Sequence, residues 1–336
     1  MNLYPATVPS GLLSGDGGHC NIDWAPNKYL LTRTWYANPG SGGLLESSEM
    51  VYTTQSAPYS FDWCDWGIHS PDGAYWALAR GATPYLDLYK VSGNNYTKIT
   101  GQPAWSWITN SPWVMAWTKD GNALIAGSTI LTRSGDYLTQ AGVISMLGSL
   151  RGMELSPDGN YLACCGAASP YIRVLKRNSN TSWTQLTISG PTGPQKCVCW
   201  SPCGTYLVST GSTGANTLFI YKRNGDAFDR LTDQPDVPIA TSSWTSHCDF
   251  SPDGKYLVVS SHPERLLLYR REGDTFTLRP EIPNMPLVSH MDVKFSTDGC
   301  RLAVNLYGDP YLYVYAPVPI PILKGLKNGE SIDLSW

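Results

Sequence analysis

The chain has 336 residues, 42% hydrophobic and only 15% charged, with 32 Gly and 25 Pro. At that length about 75% of the unfolded surface can be buried, so a large core is available. A formal net charge of −3 gives no general attraction to nucleic acid or anionic lipid, and no stretch approaches the ~20 apolar residues of a membrane span.

The N-terminal stretch MNLYPATVPSG has no basic region followed by an apolar one, so no secretion signal is expected. An odd count of nine cysteines then points to reduced thiols. Cys197-Val-Cys199 with Cys203 could form part of a metal knuckle, but no second knuckle accompanies it. The thiols are read as small core residues, and no metal or cofactor is expected.

One phrase recurs along the chain. It opens as Trp24-Ala-Pro-Asn-Lys-Tyr29-Leu30, and returns as His69-Ser-Pro-Asp-Gly-Ala-Tyr75 and Trp117-Thr-Lys-Asp-Gly-Asn-Ala123. It continues as Leu155-Ser-Pro-Asp-Gly-Asn-Tyr161, Trp200-Ser-Pro-Cys-Gly-Thr-Tyr206, Phe250-Ser-Pro-Asp-Gly-Lys-Tyr256 and Phe295-Ser-Thr-Asp-Gly-Cys-Arg301. The markers Asn27, Asp72, Asp120, Asp158, Cys203, Asp253 and Asp298 lie 45, 48, 38, 45, 50 and 45 residues apart. Seven copies at this period predict an all-β, seven-bladed β-propeller with four strands per blade. Each phrase is a hairpin turn, in which Pro presets φ and Gly takes positive φ without steric cost.

Third strands follow as Thr83-Pro-Tyr-Leu-Asp-Leu-Tyr89-Lys90, Ser169-Pro-Tyr-Ile-Arg-Val-Leu175-Lys176 and Asp309-Pro-Tyr-Leu-Tyr-Val-Tyr315. Looser versions end in Tyr221-Lys-Arg223 and Tyr269-Arg-Arg271. Polar outer strands come after Gly93-Asn94, Gly225-Asp226 and Gly273-Asp274, as suits a wet rim. The first copy carries an insertion at 37–43, and the third is short.

This reading divides the chain into an N-terminal segment 1–18, a propeller 19–317 and a tail 318–336. A ring must close, because an unpaired strand edge invites aggregation. The segment Leu3–Val8 is expected to supply the outer strand of the last blade. The tail Ser331–Ser335 is the alternative.

The phrase Phe250-Ser-Pro-Asp-Gly-Lys-Tyr-Leu257 is similar to the turn signature of WD40 and PD40 repeats, and the resemblance spans about 20–317. The Trp-Asp mark of WD40 repeats is missing, since third strands here end in Tyr-Lys or Tyr-Arg. Tyr221-Lys-Arg-Asn-Gly-Asp-Ala-Phe228 and Tyr269-Arg-Arg-Glu-Gly-Asp-Thr-Phe276 resemble repeats of WD40-like proteins encoded by tailed bacteriophages and prophages. That resemblance implies a virion component of tail, head–tail junction or capsid surface. Its partners would be other virion proteins, or a host surface glycan or protein, without nucleic acid or membrane insertion.

Signals of chemistry are sparse. There are five histidines, and His19, His247 and His290 precede inner strands at positions read as equivalent. Asp249 and Asp292 follow His247 and His290 by two residues, which repeat symmetry explains without catalysis. No phosphate loop, Gly-x-Ser-x-Gly elbow or His-Glu-x-x-His occurs, so the chain is expected not to be an enzyme. The Trp-rich stretch holding Trp105, Trp107 and Trp113, with Trp63 and Trp66 upstream, is either core or a contact for protein or glycan. Lys and Arg at third-strand ends form either a basic band or a solvated edge protected against pairing. The favoured function is a rigid protein-contact module of a phage particle. An intracellular scaffold and a sugar-binding or hydrolytic propeller are the rivals.

Overall fold

A computed structural model describes residues 3–6, 21–24, 29–33, 43–46, 52–53, 66–79, 85–92, 95–102, 114–144, 149–211, 218–233, 235, 244–262, 265–279, 290–296, 299, 302–306, 312–317, 323–327 and 330–334. Side chains are described only within 67–304.

The described residues form strands and no helix, and they make seven sheets of four antiparallel strands. The first sheet is Asn21–Trp24, Tyr29–Arg33, Gly43–Glu46 and Tyr52–Thr53; the second is Trp66–His69, Tyr75–Ala79, Leu86–Ser92 and Asn95–Lys98. The third is Met115–Trp117, Ala123–Ala126, Thr129–Ser134 and Tyr137–Val143; the fourth is Leu150–Leu155, Tyr161–Gly166, Ile172–Arg177 and Trp183–Leu186. The fifth is Gln195–Trp200, Tyr206–Gly211, Leu218–Asn224 and Ala227–Arg230; the sixth is Trp244–Phe250, Tyr256–His262, Arg265–Glu272 and Thr275–Leu278. The seventh contains His290–Phe295, Leu302–Leu306 and Leu312–Pro317, and its fourth strand is Leu3–Ala6, with Leu3 opposite Pro317 and Ala6 opposite Val314. The tail pairs with itself, Leu323–Lys327 on Glu330–Leu334. First strands of successive sheets touch one another, and Asn21–Trp24 touches both Trp66–His69 and His290–Phe295.

The repeated phrase makes the hairpin between first and second strands, and its serine is a buried hub. Ser70, Ser156, Ser201 and Ser251 each accept a hydrogen bond at 2.9 Å from the N–H of the tyrosine five residues on. Where Asp is present, the same hydroxyl donates to it, as from Ser251 to Asp253 at 2.6 Å. The Asp carboxylate in turn accepts from the N–H two residues later, as from Lys255 at 3.0 Å. The turn glycine, for example Gly254 with φ of 66°, closes the loop in the left-handed region open to glycine.

Burial runs from second strand to rim. Tyr161–Gly166 and Tyr206–Gly211 are buried at every residue, whereas Ala227–Arg230 buries only Phe228. Both faces of a middle sheet are used. In the fifth sheet Leu207, Phe219 and Tyr221 pack towards the fourth, while Tyr206, Val208 and Ile220 pack towards the sixth. The period-two alternation of strands therefore divides side chains between two apolar interfaces, each fully buried side chain contributing about 1.5–3 kcal/mol.

A polar latch joins neighbouring sheets nearer the rim. Tyr75 donates to Asp136 of the third sheet at 2.5 Å, and Lys90, directly across from Tyr75, pairs with the same carboxylate at 2.9 Å. Tyr161 and Lys176 hold Asp226 of the fifth sheet in the same way, as do Tyr206 and Lys222 with Asp274 of the sixth. The third sheet has Ala123 opposite Thr132 instead, and the corresponding turn of the fourth is Asn178-Ser-Asn-Thr181, without Gly-Asp. Both halves of the latch are thus missing together. Lys90, Lys176 and Lys222 belong to this latch rather than to a free basic band.

Candidate functional site

A cavity of about 290 Å³ lies among the first strands of the second to seventh sheets. Its chemistry follows from strand register. The first strands of the fourth to seventh sheets each carry an irregularity in pairing three or four residues before their end. One extra residue there bends the strand and re-aims the side chains that follow. Counted back three residues from Leu155, Trp200, Phe250 and Phe295 stand Gly152, Cys197, His247 and Asp292, where pairing resumes in the fourth, fifth and seventh sheets and inside the irregularity in the sixth. All four line the cavity. One step before those landmarks stand Glu154, Cys199, Asp249 and Lys294.

Three neighbouring sheets thereby align a thiol, an imidazole and a carboxylate. His247 Nδ1 lies 3.0 Å from Asp292 Oδ1, and Cys197 lines the same cavity as His247 and Cys248. Hydrogen bonding from Cys248, together with the His247 cation, outweighs desolvation and holds Cys197 well below an ordinary thiol. Cys248 itself is driven well above it, by burial first and by Cys197 next. Desolvation works to lower His247, but the Asp292 carboxylate and Cys197 outweigh it and carry the imidazole up to about 10. These shifts favour the anionic form of Cys197 and the cationic form of His247, and Asp292 holds the ring through Nδ1.

The second ring is partly structural. Glu154 accepts from the Trp200 N–H at 2.7 Å, and Asp249 accepts from the Phe295 N–H at 2.7 Å, so each carboxylate ties its sheet to the next. Desolvation in the cavity wall pushes Glu154 up to about 7, against the pull of Lys294. Lys294 pairs with Asp249 at 3.2 Å, and that carboxylate, with Glu154 and Asp292, keeps the amine charged.

Sequence spacing set His247 level with His290 and Asp249 level with Asp292. The bulges break that equivalence, because in strand register His247 matches Asp292, while His290 stands two residues earlier. Counting back from the apolar–Ser landmark, rather than forward from each histidine, reveals the alignment. The nearby thiols divide as well: Cys199 is buried, Cys197 half-buried at the cavity, and Cys203 exposed. Among the described residues no group of His, Cys, Asp and Glu is arranged to hold a metal ion. Trp63, Trp105, Trp107 and Trp113 lie outside the described residues, and Trp66 is described only as backbone of its strand.

The repeat family described as "WD domain, G-beta repeat" matches residues 183–221, from the outer strand of the fourth sheet to the third strand of the fifth. No curated protein matches the sequence. Among solved structures, a chain of Kuenenia stuttgartiensis hydrazine synthase is similar with a TM-score of 0.68 at 14% identity, covering 93% of this chain and 99% of that one. The periplasmic gluconolactonase of Pseudomonas aeruginosa gives 0.64 at 13% identity, covering 87% and 92%. A Bacteroides uniformis chain with a provisional 6-phosphogluconolactonase assignment gives 0.66 at 15%, covering 95% of each. Enzymes thus share this fold across most of its length, which overturns the expectation that the chain is not an enzyme. That expectation rested on missing motifs, and motifs of this kind do not report sites assembled from separate sheets. The chain is all-β and built of WD40-like repeats, in the sheet architecture of propellers.

Proposed function

We propose that this chain is a seven-bladed ring, closed by Leu3–Ala6 on the last blade, whose central cavity binds a small molecule and hydrolyses an ester or lactone bond in it. The observation that carries the reading is the alignment of Cys197, His247 and Asp292 on the wall of one cavity. Similar folds named as gluconolactonases support the substrate class. Contacts of Asn21–Trp24 with both Trp66–His69 and His290–Phe295 support the ring. The test is turnover of small esters and lactones, including gluconolactone, followed by acid release in wild type and Asp292→Asn. Turnover lost in the variant with an unchanged thermal midpoint is the expected result. Turnover indifferent to that substitution, or none with any probe, overturns the reading. For the ring, removing residues 1–8 is expected to lower the unfolding midpoint, and an unaltered melt overturns the clasp.

A second reading, a protein-contact module of a phage particle, is favoured by the Tyr-Lys-Arg-x-Gly-Asp-x-Phe phrase. Within Tyr221–Phe228, Lys222 and Asp226 take part in latches between sheets, and Phe228 packs in the apolar interface of the fourth and fifth sheets. A fixed copy number on purified virus particles after high-salt washing is its expected result, and absence from the particles overturns it.

A further inference from the structure

We propose that Cys197 is the nucleophile of an acyl-transfer site in the cavity, with His247 as its proton carrier and Asp292 as the residue that orients His247. The inference rests on the hydrolytic reading above and names the atom that attacks.

Three observations carry it. Cys197, His247 and Asp292 come from the fifth, sixth and seventh sheets at one register position, and all three line the cavity. Repeat symmetry alone would place like residues there, as it places Ser at every described turn hub but one; instead the third sheet has Val114 and the fourth has Gly152. The histidine also has its partners in a working order. Nδ1 is taken by Asp292, and Cys197 stands at the same register position on the neighbouring sheet, on the wall of the same cavity. A thiol–imidazole–carboxylate chain of this kind activates sulfur for attack on an acyl carbon. Facing the pair are Cys248, Cys199, Glu154, Asp249, Lys294 and Arg151; the last two are cations that favour an anionic intermediate.

The chemistry balances with water alone. The Cys197 sulfur bonds to the acyl carbon of an ester, the carbon–oxygen bond breaks, and His247 gives its proton to the departing alkoxide. Water then adds to the thioester as His247 takes a proton from it. The carbon–sulfur bond breaks, and the carboxylic acid leaves a thiolate beside an imidazolium once more.

The experiment is alkylation of the intact chain by iodoacetamide from about pH 5 to 9, with each cysteine read by peptide mass spectrometry. Exposed Cys203 serves as the internal control. Cys197 is expected to alkylate at about pH 6 with a rate that falls roughly tenfold in His247→Asn, while the Cys203 rate stays unchanged. With p-nitrophenyl acetate as probe, a rapid quench is expected to trap an acetyl group on Cys197. A Cys197 pH profile like that of an ordinary thiol, which needs no variant to measure, overturns the proposal. So does an acetyl group trapped on another residue. Turnover that survives Cys197→Ser but fails in Asp292→Asn removes the nucleophile and leaves the hydrolytic reading standing. An acetylated Cys197 that never releases acetate supports the nucleophile and removes the hydrolytic reading.

Discussion

The phenol of Tyr161 in the fourth sheet donates a 2.5 Å hydrogen bond to Asp226, a residue of the fifth sheet 65 positions later in the chain. Lys176, across the strand from Tyr161, closes on the same carboxylate at 2.6 Å. Local turn chemistry accounts for Gly225; the aspartate beside it acts between sheets. Tyr161→Phe is expected to lower stability by less than loss of a buried bond to a charged group would, because Asp226 faces water. Urea unfolding measures it. In an Asp226→Ala background the same substitution should cost almost nothing, and equal costs in both backgrounds would remove the latch from the account.

Ser201 is fully buried and accepts the Tyr206 N–H at 2.9 Å. Ser201→Ala leaves that donor without its partner, so a loss of about 1–3 kcal/mol is expected from chemical denaturation. A Ser201→Ala variant as stable as wild type would show that the turn can rewind without its hub.

Tyr221 presents the opposite case. Its ring is completely buried between the fourth and fifth sheets, and its buried hydroxyl has no hydrogen-bond partner among the described residues. Tyr221→Phe removes a desolvated oxygen and keeps the ring, so stability should be unchanged or higher by up to about 1 kcal/mol. A loss of that size in a thermal melt would mean that the hydroxyl has a partner in solution.

Acid should unwind the turns before it reaches the core. Partial burial works to raise Asp158, but Ser156, the Asn160 N–H and Arg223 together bring it down to about 2. An unfolded aspartate titrates near 3.9, so the folded value is depressed. Its contribution to stability is therefore full above about pH 4 and disappears as pH falls through about 2. Asp158→Asn should flatten this limb of the stability curve, read by urea midpoints at successive pH values. A limb as steep as wild type would assign the acid sensitivity elsewhere.

A Cβ added at Gly152 would come within 2.8 Å of Cys165 Sγ and 2.9 Å of Cys197 Cα. The second contact is with backbone, so Gly152→Ala must move the strand that carries Cys197. A stability cost of about 1–3 kcal/mol is expected, together with an altered Cys197 alkylation rate beside an unaltered Cys203 rate. Wild-type reactivity at Cys197 would show that the strand absorbs the methyl group elsewhere.

The repeat, its period and the hairpin at each Asp-Gly were legible because turn chemistry is local: Pro and Gly act on their own dihedrals. The seventh sheet's use of Leu3–Ala6 also followed from strand counting, since three strands near the C-terminus needed a fourth. What the sequence hid depends on register between sheets. The extra residue ahead of His247 and Asp292 changes which positions align, and nothing in the residue types at Ser246 or Met291 announces it. The hub role of Ser201 was hidden for a related reason: a serine beside proline in a turn is ordinary, and only its burial marks it as central. The Asp226 latch joins residues 65 positions apart, beyond the reach of any local pattern.

The strand Leu3–Ala6 lies beside Leu312–Pro317. A ribosome makes the first of these segments about 310 residues before the second. Each intermediate sheet can assemble on its predecessor as it emerges, yet the earliest segment must wait until about 310 further residues exist before its partner appears. During that interval its backbone donors and acceptors are open to any other strand edge. The final annealing step is then a long-range search, slower than the neighbour-to-neighbour steps before it. Crowded translation should expose this chain to exchange of its first strand between two copies.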